Sequence, residues 1–210
     1  MANGCEWNIH VSPCVCWWNR ACSNFFGRHN QSLRIIALYW EIILLDYPAA
    51  CGLGDENARF NVYIGNRPPL DEYEYLRTIK ALEQGDIASI AQQTGNHWRK
   101  VFNVYAKLVF ALGANTYPSW QNYRNDFLLS KGSAQALLFS RPDFHKQGIH
   151  IITGRSYAQS LQLDVQLTPI DADFEVDIKK RLLVVPYFDY RQLSNEKLIR
   201  LVGLIHQMRC

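Results

Sequence analysis

The chain has 210 residues, of which 48% are hydrophobic, 13% aromatic and 20% charged, with 12 Gly and 8 Pro. This composition excludes a disordered, collagen-like or low-complexity polypeptide and leaves room for one sizeable folded domain. The formal charge of +3, from 22 basic and 19 acidic residues, does not by itself mark a nucleic-acid-binding protein, because such proteins concentrate positive charge on one face.

The opening segment differs from the rest. Five of the six cysteines (Cys5, Cys14, Cys16, Cys22, Cys51) and four of the six tryptophans (Trp7, Trp17, Trp18, Trp40) fall in the first 51 residues, where there is no lysine. A zinc site built from Cys14, Cys16 and Cys22 with His10 or His29 is one reading, although the spacing departs from the paired C-x₂₋₄-C of ordinary zinc motifs. The favoured expectation is that residues 1–54 are an N-terminal extension outside the folded domain and that residues 55–210 form a single α/β domain. Residues 1–54 contain three basic and three acidic side chains, so the +3 resides in the domain. No basic segment precedes an apolar stretch with a cleavage site, and the apolar run Ile35 to Leu45 is broken by Glu41 and shorter than the ~20 residues that span a bilayer. The expectation is a cytoplasmic protein with no membrane contact and with free thiols.

Regular patterning starts at Phe60. Asn61 to Gly65 is β-branched and aromatic and predicts a first strand, stopped by Gly65 and Pro68-Pro69. Leu70 to Gln84 predicts a helix with Tyr75, Leu76, Ile79 and Leu82 on one side. His97 to Leu112 carries Trp98, Val101, Phe102, Tyr105, Leu108 and Val109 at helical spacing, with Asn96 as N-cap and Gly113 as stop. Pro118 opens a further helix that buries Trp120, Tyr123 and Phe127. Ala136 to Phe139, Ile149 to Ile152 and Leu182 to Val185 are continuously apolar, the habit of strands covered on both faces. Gly154 to Leu161 predicts a helix, as does the segment after Ser194, with Leu198, Leu201, Val202 and Ile205 inward. The order predicts a three-layer α/β/α sandwich with a mainly parallel central sheet. Between the third and fourth strands, Asp171, Asp173, Glu175 and Asp177 alternate, so an extended chain would place all four carboxylates on one face. A solvated strand face is the favoured reading and calcium the alternative, the glycine and distant Glu of an EF-hand loop being missing.

Ligands of parallel α/β sheets bind beyond the carboxyl ends of the strands. The candidates there are Asn66, Ser140, Gly154, Arg155, Ser156, Tyr187, Asp189 and Arg191. Gly154, Arg155 and Ser156 open a helix and offer backbone N–H groups and a guanidinium to a phosphate. No P-loop, G-x-G-x-x-G, H-E-x-x-H or G-x-S-x-G motif occurs, and no cofactor or metal is expected in the domain.

The succession Val62-Tyr63-Ile64-Gly65-Asn66-Arg67-Pro68, Gly95-Asn96-His97-Trp98, Ile149 to Leu161 and Leu183-Val184-Val185-Pro186-Tyr187 resembles the uracil-DNA glycosylase superfamily over about residues 60–205. It also resembles an uncharacterised bacterial family from which no function carries over. The first resemblance implies a glycosylase-like architecture in which Asn66 positions the attacking water. It also places Ser140 near the base-reading position and puts Pro186 to Arg191 in place of the loop that supports a flipped nucleotide. The first motif here reads Gly-Asn-Arg-Pro rather than Gly-x-Asn-Pro, and the last loop lacks its His and Ser and so the family's donor to the leaving base, for which Tyr187 and Arg191 are the candidate substitutes. A base-extruding enzyme also needs a stacking aromatic, for which Tyr63, Tyr73 and Tyr187 are candidates. The resulting expectation is a nucleobase, nucleotide or DNA site at the strand ends, as in a divergent or inactive DNA glycosylase. The alternative is a non-catalytic protein-interaction domain that keeps the fold.

Overall fold

The computed structural model describes residues 50–113 and 116–209. In chain order the elements are β1 (Gly52–Gly54), β2 (Phe60–Tyr63), α1 (Asp71–Glu74), β3 (Ile79–Lys80), α2 (Asp86–Thr94), α3 (Asn96–Ala111) and α4 (Trp120–Asp126). They continue with β4 (Gln135–Leu138), β5 (Ile149–Thr153), α5 (Arg155–Ser160), β6 (Thr168–Pro169), β7 (Glu175–Asp177), β8 (Leu182–Val185) and α6 (Asn195–Arg209).

The eight strands form one sheet in the order β3-β1-β4-β2-β5-β8-β7-β6. Its centre, β4-β2-β5-β8, is parallel throughout and consists of the strands read from the apolar runs. The flanks change direction: β1 runs antiparallel to β4, β7 to β8 and β6 to β7, while β3 is parallel to β1. The sheet is therefore mixed rather than mainly parallel. Because side chains alternate across a strand, each central strand feeds two cores. Val62, Leu137, Ile151, Leu183 and Val185 face the layer of α2, α3, α4 and α6, where Trp98, Phe102, Tyr105 and Leu201 are buried. Tyr63, Leu138, Ile152 and Val184 face the other side, where Tyr157, Ala158 and Leu161 in and just after α5 cover them.

The sheet starts earlier than the expected boundary at residue 55. Gly52–Gly54 pairs on both edges, with β3 and with β4, and Cys51 beside it is a buried free thiol. Three residues without alternation carry no strand signature of their own; the neighbouring edges of β3 and β4 make the strand. Residues 1–49 of the extension expected over 1–54, and with them the zinc alternative on Cys14, Cys16 and Cys22 with His10 or His29, lie outside the described residues.

The helix expected over Leu70 to Gln84 is instead the single turn α1 followed by β3. Arg67 Nη1 donates to the carbonyls of Glu74 (2.8 Å) and Leu76 (3.0 Å), the groups a continuing helix would use, and β3 then pairs with β1. Tyr75, expected inward, is 69% exposed. Asn96 is the first residue of α3 rather than its cap, which is Gly95 at φ 75°. Ser194 does cap α6, its Oγ accepting from Lys197 N at 3.4 Å. The acidic stretch is also not one extended face. The Asp171 carboxylate accepts from the backbone N–H groups of Asp173 and Phe174, making a tight turn between β6 and β7 that buries Phe174. Asp177 is buried on the N–H groups of Gln166 and Lys180. Among the described residues no group of three or more His, Cys, Asp or Glu is placed to hold a metal, and no helix is long and apolar enough to cross a membrane.

Candidate functional site

The strand order sets the place of the site. From β2 the chain crosses to β4 on one side, and from β5 it proceeds to β8 on the other, while β2 and β5 lie next to each other. Their connections leave in opposite directions, so a crevice opens beyond their carboxyl ends, the topological switch point at which open α/β sheets bind ligands. A cleft of about 510 Å³ occupies that position. Gly65 and Asn66 after β2, Thr153 to Tyr157 after β5 and Pro186 and Tyr187 after β8 line it, with Asp173 and Gln192 at its edge.

Two aromatic rings form its walls. The Tyr157 ring packs against Gly65 so closely that a Cβ there would lie 2.9 Å from Tyr157 Cδ2. Gly65 is required by this approach of α5 to the end of β2, not by a left-handed turn. The Tyr187 hydroxyl lies 2.9 Å from His97 Nε2 in the first turn of α3, and the rings of Tyr187 and His97 are 5.6 Å apart. Burial pushes the Tyr187 phenol up to about 12 despite the Asn66 amide beside it, so it stays protonated and able to donate a hydrogen bond. Tyr187, just after β8, and His97, in α3, are thus hydrogen-bonded at the cleft that Asn66, after β2, also lines.

Of the sequence candidates, Asn66, Gly154, Arg155, Ser156 and Tyr187 converge on this cleft. Gly154 sits at φ 91° and donates its N–H to Val185 O at 2.8 Å, tying the start of α5 to the end of β8. The Arg155 guanidinium is turned to Glu175, Nε to Oε1 3.1 Å, in a half-exposed ion pair. Ser140, Asp189 and Arg191 are not among the lining residues. Ser140 follows β4, which is separated from the crevice by β2, and its buried Oγ has no hydrogen-bond partner among the described residues. Asp189 faces α3, 3.0 Å from Lys100 Nζ, rather than pairing with the Arg191 side chain. Arg191 meets Asp189 through its backbone N–H at 2.9 Å. Backbone N–H donation by Arg191, followed by Lys100, holds the Asp189 carboxyl below the usual carboxylate range. Tyr63 and Tyr73 are core residues; Tyr63 Oη bonds His150 Nδ1 at 2.8 Å on the far face.

His97, Tyr157, Asp173 and Gln192 are not among the site candidates read from the sequence, where Asp173 belongs only to the alternating acidic stretch and His97 only to the Gly95-Asn96-His97-Trp98 motif. Tyr157 was visible only as a helix-face residue and Gln192 lies one position beyond the segment singled out. His97 is a helix-start residue whose role appears only because α3 packs beside the end of β8.

A family model described as a family of unknown function (DUF6942) matches residues 51–206. The chain belongs to this family. The match begins at Cys51, beside β1, and ends within α6, so it takes in every strand of the sheet and the whole cleft. No curated protein and no solved structure matches the chain.

Proposed function

We propose that the switch-point cleft binds a nucleobase-bearing ligand. The observation that carries this is the convergence of Tyr157 and Tyr187, the Asn66 and Gln192 amides and the Ser156 hydroxyl on one crevice between β2 and β5. Aromatic walls suit a flat heterocycle, while amides supply the paired donor and acceptor that a base edge requires. The volume suits a small ligand, since such pockets span ~300–1,000 Å³.

The uracil-DNA glycosylase resemblance supplies the reaction to examine, hydrolysis of an N-glycosidic bond. Asn66 orients a water whose oxygen bonds to the anomeric carbon as the C–N bond breaks. The departing base takes the bonding electrons, is met by a hydrogen bond from the Tyr187 hydroxyl, which is backed by His97, and ends with the proton that the attacking water gives up. A preorganised donor at that point is worth several kcal/mol in related chemistry, on the order of 3.

The test is calorimetric titration of the full chain with free bases and nucleosides, beside cleavage assays on nucleosides and on uracil-, hypoxanthine- and mispair-containing DNA. Binding that Asn66→Ala and Tyr187→Ala each weaken about tenfold is the expected result. Absence of binding to every base and nucleoside removes the proposal, and binding without cleavage removes its catalytic part alone.

A further inference from the structure

The charges at the cleft are closed on one another. Among its described lining residues only Arg155 and Asp173 are charged, and they are of opposite sign. Each already has its own partner: Arg155 Nε lies 3.1 Å from Glu175 Oε1 and Lys197 Nζ lies 2.7 Å from Asp173 Oδ1. The same holds next along the chain, where Arg200 Nη2 is 2.6 Å from Asp171 Oδ2 and Lys100 Nζ 3.0 Å from Asp189 Oδ2. What the crevice offers without such closure is neutral: the Asn66 and Gln192 amides, the Ser156 hydroxyl and the Tyr157 and Tyr187 rings.

From this arrangement we infer that the ligand is an uncharged nucleobase or nucleoside and that the cleft selects against phosphate, in a proposal that rests on the nucleobase reading above. A phosphate brought to the Arg155 guanidinium meets the Glu175 carboxylate beside it, and the Asp173 carboxylate lines the same cleft. Attraction and repulsion at similar distances cancel, leaving the cost of removing the phosphate from water. A nucleic-acid backbone would demand more, since its affinity comes from Lys and Arg side chains free to displace counterions. Here the one cation among the described lining residues, Arg155, holds a carboxylate. A neutral heterocycle loses nothing to these pairs and gains the rings and amides.

The experiment titrates the full chain with each free base, its nucleoside, its nucleoside monophosphate and a short single-stranded oligonucleotide, at low and at physiological salt. The expected order is nucleoside and base tightest and insensitive to salt, with monophosphate and oligonucleotide about tenfold weaker or worse. Equal or tighter binding of the monophosphate or the oligonucleotide overturns the selection against phosphate and leaves the nucleobase reading standing. No binding by any probe overturns both. Glu175→Gln, an isosteric change at a rim position, leaves Arg155 without its counter-charge. It should raise the ratio of monophosphate to nucleoside affinity about fivefold, the scale of a rim ion pair. An unchanged ratio shows that Glu175 does not set the selection and refutes the charge-closure mechanism.

Discussion

Gly65→Ala tests directly whether the wall of the cleft is built as described. The added Cβ would lie 2.9, 3.2 and 3.3 Å from Cδ2, Cγ and Cε2 of Tyr157, three contacts on one ring. Relief to the ~3.5 Å optimum for carbon pairs requires the ring to retreat by about 0.6 Å. The backbone at Gly65 is not left-handed, so alanine adds no conformational strain there and the whole penalty is steric. Overpacking costs ~1–3 kcal/mol, and a ring on an open cleft yields more readily than one in a closed core, which places the expected loss near 1 kcal/mol. Removing the ring should remove the penalty. In a Tyr157→Ala background the same substitution should cost close to nothing, giving a coupling of about 1 kcal/mol in a double-mutant cycle. Urea denaturation followed by intrinsic fluorescence measures both legs, and nucleoside titration of Gly65→Ala should show weakened binding from the displaced wall. An identical loss of stability in the two backgrounds would refute the contact and, with it, Tyr157 as a wall of the site.

Three further outcomes follow from the core and the rim. Burial lowers the His150 pKa, and the neutral ring is held by Tyr63 Oη at 2.8 Å and by Lys146 O at 3.1 Å. The unfolded chain takes up this proton more readily, so stability is full above the ordinary histidine value of about 6.5 and is lost as pH falls through it towards the lower folded value. Denaturation midpoints of the wild type and His150→Gln across that range should show a flatter acid limb in the variant. Tyr105→Phe removes a fully buried hydroxyl that donates to Ala136 O at 3.0 Å, with Phe60 O at 3.3 Å, and should cost about 1 kcal/mol in urea without changing nucleoside affinity. Asp189→Asn breaks the Lys100 ion pair and should cost at most ~1 kcal/mol above the carboxylate range, a loss that shrinks as pH falls and Asp189 itself becomes protonated. Thermal melts at neutral and acid pH measure that difference.

Much of the centre of this fold is legible in the chain. The apolar runs at Ala136, Ile149 and Leu182 are short, continuous and bounded by polar or turn residues, as buried strands are, and the stripe from Trp98 to Val109 keeps helical spacing over three turns. They appear in the structure as β4, β5, β8 and α3. That strand ends would carry the ligand-binding loops also follows from sequence, because parallel crossovers leave the carboxyl ends open. The flanking strands do not follow, since Gly52–Gly54 and Ile79–Lys80 are too short to have a period and exist through each other's hydrogen bonds. The helix read over Leu70 to Gln84 fails for the same reason: a local pattern lost to the Arg67 side chain and to pairing with β1.

For the site, sequence alone determined the types of side chain at each strand end, and Asn66, Gly154, Arg155, Ser156 and Tyr187 meet there as those positions require. Only the tertiary structure decided that Ser140, Asp189 and Arg191 stand outside. It also decided that His97 pairs with Tyr187 and that the Arg155 guanidinium is turned to Glu175. A strand dictates where its own end lies, but which ends adjoin depends on strand order, and which charges cancel depends on distances across elements far apart in sequence.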